Sequence, residues 1–167
     1  SAIGDHRFDA RRADLSPEGV TATGVRLAEA TSDLDDLDDA HLDVRDQVDL
    51  EVLRTRLTAR LWAHDELAEQ TWNPLLTVPA EAVYSLVARQ TGAPDERAQA
   101  LTARLGGLAD HLDAVRGRLG QMPQVHVETA IAQTLGVVSL LGDPVDALLA
   151  RAPARRSALD EARSQAE

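Results

Sequence analysis

Histidines are the side chains of this sequence best suited to hold a metal or move a proton. They stand at five separated positions: His6, His41, His64, His111 and His126. A zinc helix of the thermolysin type needs two histidines one helical turn apart, and no pair here has that spacing. The segment from His126 to Glu128 matches the first half of a nucleotide-deaminase signature, but that site also needs cysteines, and the chain has none. The sequence therefore predicts no metal ligands and no cofactor in this chain.

Acidic and hydroxyl side chains are also arranged in ways that argue against a reactive site. The acidic run over residues 33–51 resembles a calcium loop, but Leu37 and Asp38 stand where such a loop needs an oxygen ligand and a glycine. We interpret the run as a solvated linker between two helices. The hydroxyls of Ser85 and Ser139 lack the sharp glycine turn around a nucleophilic serine. The sequence predicts no catalytic residue, and whether the chain is an enzyme stays open.

Two polar segments at the ends of predicted helices are the best candidates for a site. They are residues 72–74, with the sequence Trp-Asn-Pro, and residues 123–130. Their hydrogen-bonding groups can line a cavity, whereas helix capping and turn formation are the other interpretation. The candidate channel-lining residues are Trp72, Asn73, Tyr84, His126 and Glu128.

The elements that must position these residues are helices. Ser16 and Pro17 have the types preferred at a helix N-cap and first turn, so we expect a helix from near residue 17. From Leu50 to Trp72, apolar residues and His64 recur at steps of three and four. That spacing predicts a helix over 45–71 with His64 at an interface, where it makes a hydrogen bond. A proline follows and ends this helix, because it lacks the backbone donor.

The second half of the chain contains a long apolar seam and an uncharged segment. A short helix over 81–90 precedes them. Apolar residues from Ala98 to Leu119 recur at steps of three and four and predict one helix with a bend at its paired glycines. Residues 129–141 carry no charged side chain, so we expect a helix that is covered around nearly its whole circumference. The Gly-Asp-Pro sequence at 142–144 ends that helix and starts a short one to residue 152.

These patterns contain no strand signal and predict an all-α fold. We expect an antiparallel helical bundle of about six helices that is part of a larger helical protein. Residues 1–167 form a single helical domain or fragment, with an irregular arm over 1–15, a helical body over 16–152 and a polar C-terminal helix over 153–167. The only methionine is Met122, so the sequence does not begin at a start codon, which indicates a fragment or a processed form.

Charge and composition exclude several classes of partner. The 28 acidic and 17 basic residues give a net charge of -11, which repels nucleic-acid phosphates and anionic membrane surfaces. Aromatic residues make up only 2% of the chain, too few for a base-stacking surface. No apolar run approaches the roughly 20 residues of a membrane span, and no signal peptide is recognisable. We therefore expect no nucleic-acid partner and no membrane partner, and we favour a cytoplasmic location.

The order of several segments resembles the N-terminal part of the bacterial family called domain of unknown function 885, over about residues 3–142. The segments that carry the resemblance are Gly4-Asp5-His6, Asp14-Leu15-Ser16-Pro17-Glu18, residues 49–60 leading into Trp72-Asn73-Pro74, Glu96-Arg97 with Ala103-Arg104-Leu105, and residues 125–131. Members of that family are several hundred residues long, are predominantly helical and resemble zinc metallopeptidases, with a paired-histidine helix later in the chain. No position of this sequence matches those metal ligands.

The resemblance implies a non-catalytic N-terminal helical region of a zinc-dependent peptidase or related hydrolase of unknown substrate. Zinc would belong to the parent protein, and the helices would flank a channel for a peptide-like substrate. The partner would be the remainder of the parent chain, which would also cover residues 129–141. The alternative is a stand-alone helical interaction or dimerisation module, which pairs with another helical chain through the seam from Ala98 to Leu119.

Overall fold

The fold is all-α, and a computed structural model of the chain describes residues 7–11, 13–89 and 92–166. These residues form eight α-helices and no strand: α1 Pro17–Asp35, α2 Val44–Trp62, α3 Ala80–Val87, α4 Pro94–Gly106, α5 Leu108–Arg118, α6 Gln124–Leu140, α7 Asp143–Leu149 and α8 Arg156–Ala166. Shorter turns lie between them: a π-helical turn Ala63–Leu67 and 3-10 turns Glu69–Thr71, Pro74–Leu76 and Pro153–Arg155. The all-α prediction is confirmed, and the apolar seam, predicted as one helix, forms two.

The first two helices each begin after a capping side chain, and the sequence predicts the first of these caps. The Ser16 side chain accepts a hydrogen bond of 3.1 Å from the backbone N–H of Gly19, so α1 starts where expected. Asp43, from the acidic run, accepts hydrogen bonds of 2.8 and 2.9 Å from the N–H groups of Arg45 and Asp46. One carboxylate of the predicted linker therefore satisfies free donors at the start of α2.

Helices α1 and α2 form an antiparallel hairpin that is fastened by hydrogen bonds to backbone carbonyls. Arg54 of α2 donates from Nε and Nη2 to the carbonyl oxygen of Leu34, at 3.2 and 2.9 Å. At the other end, His64 Nε2 donates to the carbonyl oxygen of Val20 at 3.0 Å, which confirms its predicted interface role. Among the described residues, α2 buries only Leu50 and α1 only one glycine. The hairpin therefore has almost no core of its own.

The base of the hairpin is tied to the rest of the molecule by Arg118, the last residue of α5. Its guanidinium donates to the carbonyl oxygens of Leu15 and Gln70, the latter at 2.7 Å, and burial lowers the pKa of Arg118. The backbone N–H of Gly120 donates to the carbonyl of Thr71 at 2.8 Å. These contacts position the turn after α2 against the end of α5.

The predicted helix over 45–71 is wrong in its last part, because α2 ends at Trp62. The chain then makes a π-helical turn and reaches Ala68, whose φ of 45° lies in the left-handed region that stops a right-handed helix. The indole Nε1 of Trp72 donates to the carbonyl oxygen of Leu67 at 2.9 Å. The Trp72 side chain thus donates to a carbonyl oxygen that would otherwise accept a backbone hydrogen bond of a continuing helix.

The core lies where α3, α4, α6, α7 and α8 meet. Leu101 of α4, Leu149 of α7 and Leu159 of α8 are completely buried, and within the described chain α4 packs most extensively against α8. The C-terminal segment, predicted as a polar helix, therefore has one apolar face that completes the core. Prediction and structure differ at α3, which ends at Val87; Gln90, the predicted end, lies outside the described residues.

The predicted seam from Ala98 to Leu119 is buried over its first part and breaks where the helix breaks. Leu105 is 2% exposed, and the buried set continues to Val115 in α5. Gly107, with φ of −108° and ψ of 15°, separates α4 from α5, so the residues beyond it change direction. As a result Leu112 is 46% exposed, and its placement in the seam is wrong. The α4 part of the seam packs inside this chain.

Arg97 of α4 is buried, and its charged guanidinium lies at the C-terminal end of α3. Its Nε donates to the carbonyl oxygen of Leu86 at 2.8 Å and its Nη2 to that of Val87 at 2.9 Å. These are carbonyls at the C-terminus of a helix, where a cation is favourable. Desolvation lowers the pKa of Arg97, and the nearby charge of Arg151 lowers it further. The guanidinium therefore acts as a structural cap.

Candidate functional site

Two of the predicted channel-lining residues meet in the structure, although they are far apart in the sequence. The rings of Trp72 and His126 stack with centroids 5.6 Å apart and an angle of 21° between their planes. Trp72 is held in place by its hydrogen bond to Leu67, and His126 lies in the first turn of α6, which begins after Pro123. His126 Nδ1 is enclosed and has no hydrogen-bond partner among the described residues. The stack therefore joins the turn after α2 to the start of α6.

Asn73 is buried, and its contacts are those of a turn residue. Its side-chain Oδ1 accepts a 3.1 Å hydrogen bond from the N–H of Leu75, which caps the 3-10 turn Pro74–Leu76. Its own N–H donates to the carbonyl of Glu69 at 2.8 Å. The capping interpretation of this segment accounts for both contacts.

Tyr84 and Glu128 lie on the surface and make local contacts. Tyr84 of α3 is 44% exposed, and the guanidinium of Arg89 lies 5.9 Å from its ring centroid. Glu128 is exposed and accepts a 2.6 Å hydrogen bond from Gln124 one turn earlier on α6. Neither of these contacts involves the Trp72–His126 stack. The five candidate residues therefore form one pair and three separate positions.

Helix α6 exposes most of its apolar side chains. Ile131 is 58% exposed, Leu135 64% and Val138 48%, whereas the buried residues of this helix are Ala130 and Val137. The sequence predicts that the uncharged segment 129–141 is covered around nearly its whole circumference, but within the described residues the chain covers only one side of it. An exposed helical face without charged side chains over residues 129–140 is unusual, because a surface helix is normally polar on its outer side.

An apolar groove of about 400 Å³ runs along the exposed side of α6. Leu112 and Met122 contribute to its wall, and Pro74 and Val127, the neighbours of Asn73 and His126 in the chain, line it beside the stack. Its lining contains no ionisable side chain and only two threonine hydroxyls. Such a groove binds apolar surface and has no group that can activate water or bind a metal. Sequence reasoning missed the groove, because it placed Leu112 in the core.

The histidines are dispersed over the described part of the chain. His64 uses both ring nitrogens, since Nδ1 lies 2.7 Å from the carboxylate of Asp65 and Nε2 bonds the backbone of α1. Residues 7–11, 13–89 and 92–166 contain no group of three or more histidine, cysteine, aspartate or glutamate side chains that could hold a metal ion. His6 lies outside these ranges.

The stretch Gln124–Leu149 is long and apolar enough, by length and composition alone, to cross a membrane. The structure divides it into α6 and α7, which are separated at Leu141 and Gly142. It also places Asp146 of this stretch 2.9 Å from the guanidinium of Arg163. A single stretch of this kind is weak evidence for a membrane span, and we interpret α6 as a packing surface.

The chain matches one protein family over its whole length. A family profile whose description is "Bacterial protein of unknown function (DUF885)" matches residues 1–167. The chain belongs to the DUF885 family. The resemblance found in the sequence is therefore correct at the level of the family, and among curated proteins nothing matches this DUF885 chain.

One solved structure has the same fold as this DUF885 chain. It is "a putative lipoprotein of unknown function" from Shewanella oneidensis, with a TM-score of 0.76 and 18% sequence identity. The match covers 98% of this chain and 32% of that protein, so the chain spans about a third of its length. At this identity the likeness shows the fold alone. The zinc-peptidase character and the cytoplasmic location both stay predictions.

Proposed function

We propose that this chain is a non-catalytic helical region of a larger DUF885 protein, and that it packs against the rest of that protein through the apolar face of α6. The activity proposed for the whole protein, from the sequence resemblance, is that of a zinc-dependent peptidase or related hydrolase. The observation that carries the proposal is the exposure of Ile131, Leu135 and Val138 beside an uncharged groove. The greater length of the matching solved structure supports it.

Apolar side chains that stay in water do not contribute the free energy that their burial would give. Full burial of a valine, leucine or isoleucine contributes about 1.5–3 kcal/mol, so half-exposure of Ile131, Leu135 and Val138 leaves roughly 2–5 kcal/mol unrealised. Exposed apolar patches of this kind mark surfaces that bind another protein segment or a ligand. Because the groove holds no ionisable group, its contribution is to packing and to the shape of a cavity. Catalytic groups would come from the rest of the protein.

The Trp72–His126 stack gives this region a proposed role in a substrate channel. The two rings are partly exposed, and they lie within two residues of the groove-lining Pro74 and Val127 in the chain. Partly exposed aromatic rings beside an apolar groove suit contact with a peptide-like substrate. In this role the stack contacts substrate and performs no proton transfer.

A second candidate function is that of an interaction module, and an exposed stripe on α2 favours it. Val44 is 78% exposed, Val48 58%, Val52 48% and Trp62 57%, and all four lie on the side of α2 opposite Leu50. A hairpin with such a stripe can pair with another helical chain. This route replaces the predicted pairing through Ala98–Leu119, whose α4 part packs in the core.

The test compares this chain with the complete gene product. We expect the complete protein to bind zinc and to hydrolyse a library of peptides in a chelator-sensitive way, and we expect the 167-residue chain to do neither. Mass spectrometry measures the bound zinc, and chromatography measures the peptide cleavage. A complete protein without bound zinc or hydrolysis overturns the enzymatic part, and stoichiometric zinc in the short chain overturns the non-catalytic part. A stable dimer of the short chain, abolished by Val52→Asp, supports the interaction module instead.

A further inference from the structure

The last helix brings the chain directly to the groove. Ala166, the last residue of α8, lines it together with Leu141 at the C-terminal end of α6. The end of α8 is fixed there because Arg163 donates to the carbonyl oxygen of Leu141 at 3.2 Å and to Asp146 at 2.9 Å. A polypeptide that continues past Ala166 therefore starts at one end of the apolar groove.

The groove has the length and pattern of a helix-binding surface. From the Leu141 end, the exposed lining residues of α6 are Val138, Leu135 and Ile131, and the half-buried Val127 follows them. Their steps of three and four residues place them along one stripe, and at 1.5 Å per residue the stripe is about 16 Å long. An α-helix of about 11 residues or three turns covers that distance.

We propose that the segment immediately following Ala166 in the longer protein turns back and lies in this groove as an amphipathic helix antiparallel to α6. The inference rests on the proposed function, since it requires that the protein continues. This segment is the expected occupant because the groove begins at Ala166, the residue that the segment follows. Helix–helix connections of about 2–8 residues are common, and such a turn is enough here.

The chemistry of the groove restricts the sequence of this segment. Because the lining has no ionisable side chain, a charge on the buried face would have no partner and would be strongly unfavourable. Within about 30 residues after Ala166 we therefore expect apolar residues at steps of three and four over roughly three turns, with charges confined to the outer face.

The experiment uses the complete protein with one introduced cysteine; this chain contributes none of its own, and any cysteine beyond it is first replaced by serine. Val138→Cys lies in the groove, and Val25→Cys on α1 is the matched control, since both valines are helical and they are 48% and 51% exposed. Each thiol is labelled with a maleimide, and each is also coupled to a photoreactive benzophenone that is crosslinked and mapped by mass spectrometry. In the 167-residue chain we expect the two thiols to react at similar rates. In the complete protein we expect Cys labelling at position 138 to slow by about tenfold or more, as burial of the site requires.

The crosslink identifies the occupant. We expect the label at position 138 to attach to a peptide within about 30 residues after Ala166. Attachment to a later part of the same chain overturns this inference and leaves the proposed function standing. Attachment to a second copy overturns the inference, and rapid labelling in the complete protein overturns both. If Val138→Cys does not fold, hydrogen exchange of the Ile131–Val138 peptide in the unsubstituted complete protein gives the same decision, since retained fast exchange contradicts an occupied groove.

Discussion

The indole ring of Trp72 and the imidazole ring of His126 stack with their centroids 5.6 Å apart. The stack holds the turn after α2 against the first turn of α6, and Pro74 and Val127, which lie close to these two residues in the chain, line the groove. It therefore connects the α1–α2 hairpin to the helix that carries the exposed apolar face. Its loss should affect the geometry of that junction first.

Replacing His126 by alanine tests this junction. We expect His126→Ala to lower the free energy of unfolding by about 1 kcal/mol, the usual contribution of an aromatic pair beyond its burial. His126→Phe should retain most of the stability, because its ring can still stack. Urea denaturation followed by circular dichroism measures both. Glu128→Ala, an exposed change on the same helix, is the control, and an equal loss there would show that the stack has no special role.

The two leucines of the predicted seam should respond differently to the same substitution. Leu105→Asp places an unpaired carboxylate at a position that is 2% exposed and should unfold the chain. Leu112→Asp places it at a position that is 46% exposed, so we expect a change of stability within about 0.5 kcal/mol. Thermal denaturation distinguishes the two. Unfolding by both substitutions would instead support the single continuous seam.

The buried guanidinium of Arg97 should be needed as a cap. Arg97→Met keeps much of the volume but leaves the carbonyl oxygens of Leu86 and Val87 without donors, which we expect to cost about 2–4 kcal/mol. Arg97→Lys should recover only part of this, because an ammonium group cannot reproduce the guanidinium fork. Chemical denaturation gives the values. Arg89→Ala, on the surface, is the matched control, and a loss as large as that of Arg97→Met would contradict a specific cap.

The α1–α2 hairpin should be the least protected part of the isolated chain. Its helices bury one residue each, whereas α4 and α8 pack against each other in the core. Amide hydrogen exchange followed by mass spectrometry should therefore show faster exchange over residues 25–57 than over Pro94–Gly106. Equal protection would mean that the hairpin is stabilised by a partner, such as a second copy. Dilution of the sample distinguishes that case, since pairing depends on concentration.

The sequence was sufficient for features that depend on neighbouring residues. The cap at Ser16, the helix start at Pro17 and the interface role of His64 follow from residue type and spacing, and the structure shows each of them. The end of α2 was missed because a π-helical turn and the hydrogen bond from Trp72 stop the helix while the apolar spacing continues. The break at Gly107 was expected only as a bend.

The candidate site was less predictable, because its geometry comes from contacts between distant segments. Nothing in the local sequence indicates that Trp72 and His126 would stack, since the contact depends on how the turn after α2 meets α6. The uncharged stretch over 129–141 did indicate a surface that needs cover. The sequence did not indicate which side of this stretch the chain covers. It also did not indicate that Leu112 and Met122 line a groove there, because both features depend on how α5 packs in the folded chain.

Two glycine-to-alanine substitutions in helices should change stability in opposite directions. At Gly24 of α1, a Cβ atom would lie 2.7 Å from Cε1 of His64, whose ring is held between Asp65 and the carbonyl oxygen of Val20. Gly24→Ala should therefore displace the ring and loosen the hairpin. At Gly136 of α6 nothing lies within 4 Å, so Gly136→Ala should stabilise the chain by up to about 1 kcal/mol through helix propensity.

The comparison separates the loss of a specific contact from the general effect of removing a glycine. Denaturation midpoints of the two variants and of the unsubstituted chain give the signs. Adding His64→Ala to Gly24→Ala should restore the space for the new methyl group, so the double variant should be no less stable than His64→Ala alone. If Gly24→Ala stabilises the chain as much as Gly136→Ala does, the His64 ring does not hold α1 against the end of α2.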